Sequence, residues 1–475
     1  MTYSMKRFFQ VFVFSLCLMA LLSPSGFGDS AEIEKNATIA AFEDQGFIVQ
    51  EGVMATTNPI GLYEAGITPS CYGNNPTSPY MQFKVPKAPG QTVNNTISDA
   101  PINPQDAGLW LDYRMRPDEA IVYVGITPPE CEYFSYIGYI ALRYSEELGT
   151  YHRIFASLGD SISLSRLQSE PAYKANVFSE PIIIIFTADK IADQNAREAL
   201  MNAGYPEEIM HTLVIPKDLV RMGLVAESDT FSTLNRIALF KDQTEGEEFI
   251  NSTPGIVYRL TPTIEGEADY YPVPELIPRG TGTTHELDLN DDLLELREAI
   301  IAHYGGMSHV QNLTTQVWIF EGYDAIQRGV DVLADTRDTV YLNTTSTVLG
   351  DTPGEAIIVY GVNHAATGKA TYSNFALYGK NALNGVGGLS NFDLAGTAEK
   401  FLPDNPNAQY LYVAKVARED DPEMKTLVVP SGVGPYGIEP DDSCFIGFRT
   451  YVEPETGVSP AWSEILYDQA IKINP

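Results

Sequence analysis

The chain has 475 residues, 44% of them hydrophobic and 11% aromatic, with 62 acidic against 30 basic side chains and a formal net charge of −32. That much apolar material excludes a disordered body. So lopsided a charge excludes nucleic acid and anionic lipid as partners, because phosphate is held by lysine and arginine.

Residues 1–28 read MTYSMKRFFQVFVFSLCLMALLSPSGFG. Lys6 and Arg7 form a cationic head, 8–22 an apolar core, and Gly26-Phe27-Gly28 a small-x-small cleavage site, the pattern of a secretory signal peptide. The core falls short of the roughly 20 apolar residues that a spanning helix needs. Leu16, before Cys17, is too large for a lipoprotein acylation site. The expectation is export with cleavage, into a secreted, periplasmic or cell-surface location, with no membrane span afterwards. Losing Lys6 and Arg7 takes the net charge from −32 to −34. Cys71, Cys131 and Cys444 remain, enough for one disulfide and one leftover thiol in an oxidising compartment.

Further along, PDEAIVYVG at 117–125 aligns without gaps with PGEAIIVYG at 353–361, identical at five of nine positions. Each block begins at a polar turn and runs through β-branched and aromatic residues, as strands do. Ile140-Ala141-Leu142 against Phe375-Ala376-Leu377 continues the match one residue out of phase. Upstream, Glu51-Gly52 corresponds to Glu321-Gly322, each read as a strand end. This self-similarity predicts two β-rich halves related by duplication. The segment 133–144 carries Tyr133, Phe134, Tyr136, Tyr139 and Tyr144. Phe134, Tyr136, Ile140, Leu142 and Tyr144 share one parity, hence one core-facing side of a strand.

The continuous apolar run at 182–186 predicts a strand covered on both faces. A helix from about Asp189, with Ala192, Ala196, Ala199, Leu200 and Ala203 on one stripe, leads to a second strand at 213–215, making a βαβ unit. Phe231, Leu234, Ile237 and Ala238 read as a further helix before a strand at 256–260. The Pro- and Gly-dense stretch 263–284 reads as a linker. Asn290 then caps a helix with Leu293, Leu296, Ile300 and Ile301 on its apolar face, stopped by Gly305-Gly306. The fold class is therefore α+β, with a signal peptide at 1–28, a first β-rich domain with an α/β portion at 29–262, a linker at 263–284 and a second β-rich domain at 285–475.

IFASLGDS at 154–161 is the most reactive-looking block. A strand ending in Gly159-Asp160-Ser161 resembles the nucleophile block of the GDSL (SGNH) esterases. The resemblance implies attack by Ser161 on an ester carbonyl, with a histidine taking its proton. It covers about eight residues, and the family's Asp-x-x-His and Gly-x-Asn-Asp blocks do not occur in this chain. His364, in a turn after a predicted strand, and His152 are the candidate bases. Glu419, Asp420, Asp421, Asp441 and Asp442 are loop carboxylates that could gather around Ca2+, but no complete calcium loop or zinc motif is present. No other cofactor is evident, and phosphate loops do not occur. The expected role is binding or surface association outside the membrane, with an unknown extracytoplasmic ligand. A secreted serine hydrolase is the alternative.

Overall fold

The computed structural model describes residues 28–96, 107–431 and 434–475. The leader reading of 1–28 lies outside the described residues except for Gly28, which opens a helix. The fold is α+β, and none of the described helices is long and apolar enough to cross a membrane.

The first half runs α1 (Gly28–Asp44), β1 (Phe47–Thr57), α2 (Pro59–Glu64), β2 (Tyr80–Lys84), β3 (Ala120–Ile126), β4 (Cys131–Ser145), β5 (Thr150–Ser157), β6 (Ile162–Ser163), α3 (Leu164–Gln168), β7 (Pro181–Thr187), α4 (Lys190–Asn202), β8 (Met210–Val214), β9 (Thr230–Phe240), α5 (Gln243–Asn251) and β10 (Gly255–Pro262). Its strands form one sheet in the order β5-β4-β9-β2-β1-β10-β3-β7-β8, with β6 attached to β4. The βαβ unit is present: β7 pairs in parallel with β8, and Asp189 caps α4 through the amides of Ile191 and Ala192.

The stretch at 231–238 is not a helix but the middle of β9, paired with β2 on one side and β4 on the other. Both sheet faces are covered there, so alternation is lost, and the 3,3,1 spacing of Phe231, Leu234, Ile237 and Ala238 imitates a helical stripe. For the same reason Tyr133 and Tyr139, of opposite parity to Phe134 and Tyr136, are equally buried.

The second half follows with α6 (Asn290–His303), β11 (Val310–Leu313), β12 (Thr315–Val317), α7 (Gly322–Arg328), β13 (Thr339–Thr344), β14 (Thr347–Val348), β15 (Ala356–Val362), β16 (Tyr372–Gly379), β17 (Gly385–Ser390), α8 (Asn391–Leu394), β18 (Leu411–Ala417), β19 (Thr426–Val428), β20 (Ser443–Tyr451) and β21 (Gln469–Ile473). Leu293, Leu296, Ile300 and Ile301 are the buried stripe of α6, and Gly305 and Gly306 follow at φ 85° and 100°. Asn290 lies inside the helix and gives no side-chain cap.

Two sheets arise here, ordered β17-β16-β20-β13-β12 and β11-β21-β15-β18-β19. Joined through the one-residue break at Thr314, between β11 and β12, this is the order of the first sheet element for element. β1 pairs with β10 along 47–53 and with β2 along 53–57, as β11 pairs with β21 and β12 with β13. The parallel pair β7–β8 has its counterpart in the parallel pair β18–β19. Two details of the sequence alignment do not carry over. Glu51-Gly52 lies inside β1, whereas Glu321-Gly322 opens α7. The register equates Ser135 (opposite Arg236) with Asn374 (opposite Arg449), so Phe375 matches Tyr136 and not Ile140.

The halves exchange arms. The segment after α2 crosses to the second half, where the Cys71 and Gly73 amides donate to the carbonyls of Ala382 and Leu383. The segment after α7 crosses the other way, where the Val332 and Ala334 amides donate to Ile154 and Phe155. Left-handed residues recur at matching places: Tyr72-Gly73 (φ 57° and 66°) with Leu333-Ala334 (55° and 58°), Phe155 (34°) with Leu383 (49°), and Leu239 (54°) with Val452 (38°). Such φ values are unusual outside glycine and are kept only where surrounding structure dictates them.

Candidate functional site

The structure does not bring the candidate nucleophile and bases together. Ser161 is buried, and its hydroxyl donates to Asp338 Oδ2 at 2.5 Å, which also accepts from Tyr133. No histidine hydrogen-bonds to Ser161 among the described residues. His364 is enclosed between carboxylates, Nδ1 3.0 Å from Glu286 and Nε2 3.3 Å from Asp468. His152 lies on β5 opposite Arg143, its Nδ1 without a partner among the described residues. Asp160, the remaining polar member of the Gly-Asp-Ser turn, accepts from Arg337 Nε at 2.6 Å and from the Ile277 amide at 2.7 Å. The turn thus ties strand β5 to the second half. Ser161→Ala is expected to lower stability by about 1.5–3 kcal/mol, the value of one hydrogen bond to a charged group. Urea unfolding reads that loss, and p-nitrophenyl acetate turnover that vanished in the variant would instead favour the esterase reading.

The five loop carboxylates also stay apart from one another's chemistry. Glu419, Asp420, Asp441 and Asp442 are exposed, while Asp421 accepts from Lys415 at 2.8 Å. Among the described residues no group of three or more His, Cys, Asp or Glu side chains could hold a metal ion. Cys71, Cys131 and Cys444 are all buried and unpaired with one another.

What the arm exchange does create is a cavity of about 80 Å³ where the halves meet. Its floor is the β4-β9-β2 face, and its cover comes from the two crossing segments together with Tyr341 and Arg449 of the second half. Thr57, Pro59, Asn74 and Tyr80 are shared with an outer groove of about 720 Å³.

Two arginines occupy equivalent positions on this wall. Arg236 of β9 sits opposite Tyr80 in β2, and Arg449 of β20 sits opposite Tyr341 in β13. Arg236 donates to Tyr139 Oη at 2.9 Å through Nη2 and to the carbonyl of Ala334. Arg449 donates to Tyr378 Oη and, at 2.6 Å, to the carbonyl of Gly73. Each guanidinium is therefore held by a tyrosine of its own half and a left-handed residue of the other. Both also lie over aromatic rings, Arg236 near Tyr80 and Tyr139, and Arg449 near Trp318, Tyr341 and Tyr378.

Neither arginine has a carboxylate within salt-bridge distance among the described residues. Arg153, the third on the wall, stacks 4.4 Å from the Tyr72 ring and pairs with Asp331 at 2.8 Å. Asp112 is the single carboxylate among the lining residues, and Thr96 Oγ1 donates to it. Asp335 lies behind Arg236. Burial pushes its carboxyl up to about 6, against the pull of its Ser157 hydrogen bonds. Sequence reading passed over this site because its residues come from six separate stretches and form no local motif. One signal was available: a lone arginine inside an otherwise uncharged strand-like run, FSTLNRIALF at 231–240 and CFIGFRTYV at 444–452.

No family model matches the sequence, and no curated protein matches it. Among solved structures, the chain is similar to a protein from Burkholderia cenocepacia at 12% identity and a TM-score of 0.39, over 98% of this chain and 95% of that one. It is also similar to a protein from Vibrio parahaemolyticus at 8% identity and a TM-score of 0.38, over 94% of this chain and 99% of that one.

Proposed function

We propose that the chain is an exported, acidic binding protein that holds a small ligand in the cavity between its halves. The observation that carries this reading is the pair of buried guanidiniums, Arg236 and Arg449, facing a cavity, neither in salt-bridge contact with a carboxylate among the described residues. Burying a charge without an opposite charge is costly, so a binding role explains what a purely structural one leaves unbalanced. Ser161 bonded to a carboxylate, with no histidine hydrogen-bonded to it among the described residues, supports binding over hydrolysis. The leader-like sequence at 1–28 supports export. We further infer that the halves descend from one duplicated unit. Their common strand order, their matched left-handed residues and their equivalent arginines support this, and the cavity then lies at the join.

The test is a thermal-shift screen of small organic acids, amines, amides and sugars against the wild-type protein and Ala141→Phe. Ala141 lines the cavity, and a phenyl ring there fills it. At least one compound is expected to raise the wild-type melting temperature by several degrees, as a ligand at about 100 times its Kd would. That shift should be absent in the variant. No shift from any compound, or a shift that survives Ala141→Phe, would defeat the reading.

A further inference from the structure

We propose that the ligand of the inter-half cavity is a short aliphatic carboxylate, its anionic group held by Arg449, Arg236 and the Tyr341 hydroxyl and its alkyl tail by the apolar wall. The inference rests on the preceding reading of the cavity as a ligand site.

Charge comes first. Three arginines and one aspartate line the cavity, a local positive excess in a chain of net charge −32. Arg153 already has Asp331, Arg236 has Asp335 nearby but not bonded to it, and Arg449 has only neutral oxygens and ring faces. Arg153 Nη1 is a buried donor with no acceptor among the described residues. A carboxylate accepts on two oxygens and matches a guanidinium edge, which makes it the economical counter-ion for such donors.

The second, independent observation is Tyr341. It is 3% exposed, it lines the cavity, and its hydroxyl has no hydrogen-bond partner among the described residues. Burial holds that phenol protonated, so it remains a donor. Its counterpart in the first half, Tyr80, has its hydroxyl engaged by the Asn75 amide at 2.8 Å. The two equivalent tyrosines therefore differ, and the one in the second half leaves a donor open. Buried hydroxyls are almost always satisfied, and an orphan facing a cavity asks for an acceptor from outside the chain.

Size and lining set the rest of the ligand. A cavity of about 150 Å³ takes the six carbons of benzene, so one of about 80 Å³ encloses roughly three or four heavy atoms, the carboxylate and its first carbons, and a longer tail runs toward the outer groove that shares Thr57, Pro59, Asn74 and Tyr80. Leu62, Leu111, Ala141 and Leu234 also line the cavity and suit an alkyl tail better than a second charge. Asp112 opposes a dianion.

The experiment is calorimetric titration with acetate, propionate and butyrate, with butyramide as the neutral isostere and inorganic phosphate as an anion without a tail. One of the carboxylates is expected to bind at least tenfold more tightly than butyramide. Tyr341→Phe should weaken it about fivefold or more with no change in melting temperature, because the hydroxyl has no partner within the protein to lose. Arg449→Gln should abolish binding, and Tyr341→Phe keeps the test decisive if that variant does not fold. Butyramide binding as well as butyrate, or Tyr341→Phe binding as tightly as wild type, would overturn the carboxylate assignment and leave the cavity reading standing. Phosphate bound alone would make this an inorganic-anion site and overturn it too. Carboxylate binding that persists undiminished in Ala141→Phe would place the ligand elsewhere and defeat both.

Discussion

His364→Gln is expected to destabilise the protein by about 3–5 kcal/mol, the cost of removing the cation from a buried ion cluster. His364 is 1% exposed and Glu286 fully buried, and the variant leaves Glu286 and Asp468 facing one another without the charge between them. Burial alone would lower the imidazole, but Glu286 and Asp468 outweigh it and raise it to about 10. The unfolded chain returns it to about 6.5. Its stabilising contribution is therefore complete below about pH 6.5, declines above that and is lost as pH passes about 10. Glu286 behaves oppositely. Burial pushes its carboxyl up, yet His364 outweighs that and holds it below the ordinary range, so its share is present above about pH 4.5 and lost on acidification. Wild-type urea midpoints should fall between pH 6.5 and 10, and those of His364→Gln should lose most of that slope. A wild-type midpoint that stayed level across this interval would refute the ion-cluster account.

Arg337→Leu is the second large effect, again about 3–5 kcal/mol. Arg337 is 6% exposed, holds Asp160 through Nε at 2.6 Å and Glu321 through Nη1 at 2.5 Å, and also donates to the carbonyl of Ile277. Arg279 completes the network on the other oxygen of Glu321. Burial pushes the Glu321 carboxyl up, and the two arginines overcome it and hold it low. The leucine strands Asp160 at the junction of the halves. Asp160→Asn in the same background should restore part of the loss, because the stranded charge is gone, and a double-mutant cycle by urea unfolding measures that coupling. Strict additivity of the two substitutions would show that the pair does not act as a unit.

Local patterns in the sequence reached the elements whose chemistry is local. The strand at 182–186 and the helix after Asp189 were legible because an apolar run, a cap and an alanine stripe sit within about twenty residues. The helix ending at Gly305-Gly306 was legible for the same reason. β9 was not, because a strand covered on both faces loses its alternation, and Arg236 was hidden with it. The likeness of 117–125 to 353–361 pointed to equivalent strands β3 and β15. Past them the connection to the next strand is longer in the second half, 363–371 against 127–130, so the continuation aligned the wrong residues. The Gly-Asp-Ser turn was visible as a motif, but the role of Asp160 depends on Arg337, 177 residues away in the chain. The cavity could not be read at all from neighbours in sequence. Its defining feature, a left-handed carbonyl from one half closing on an arginine from the other, exists only after both halves have folded.

That reciprocity has a thermodynamic consequence. Gly73 completes the surroundings of Arg449 and Ala334 those of Arg236, so neither half possesses the cavity by itself. Whatever occupies it recognises only the docked pair, and its occupancy adds RT ln(1 + [L]/Kd) to the work of separating the halves. At a hundredfold excess over Kd that is about 2.7 kcal/mol, roughly a hundredfold fewer opened molecules for a protease to meet. The lifetime of the chain would then follow the concentration of its own ligand.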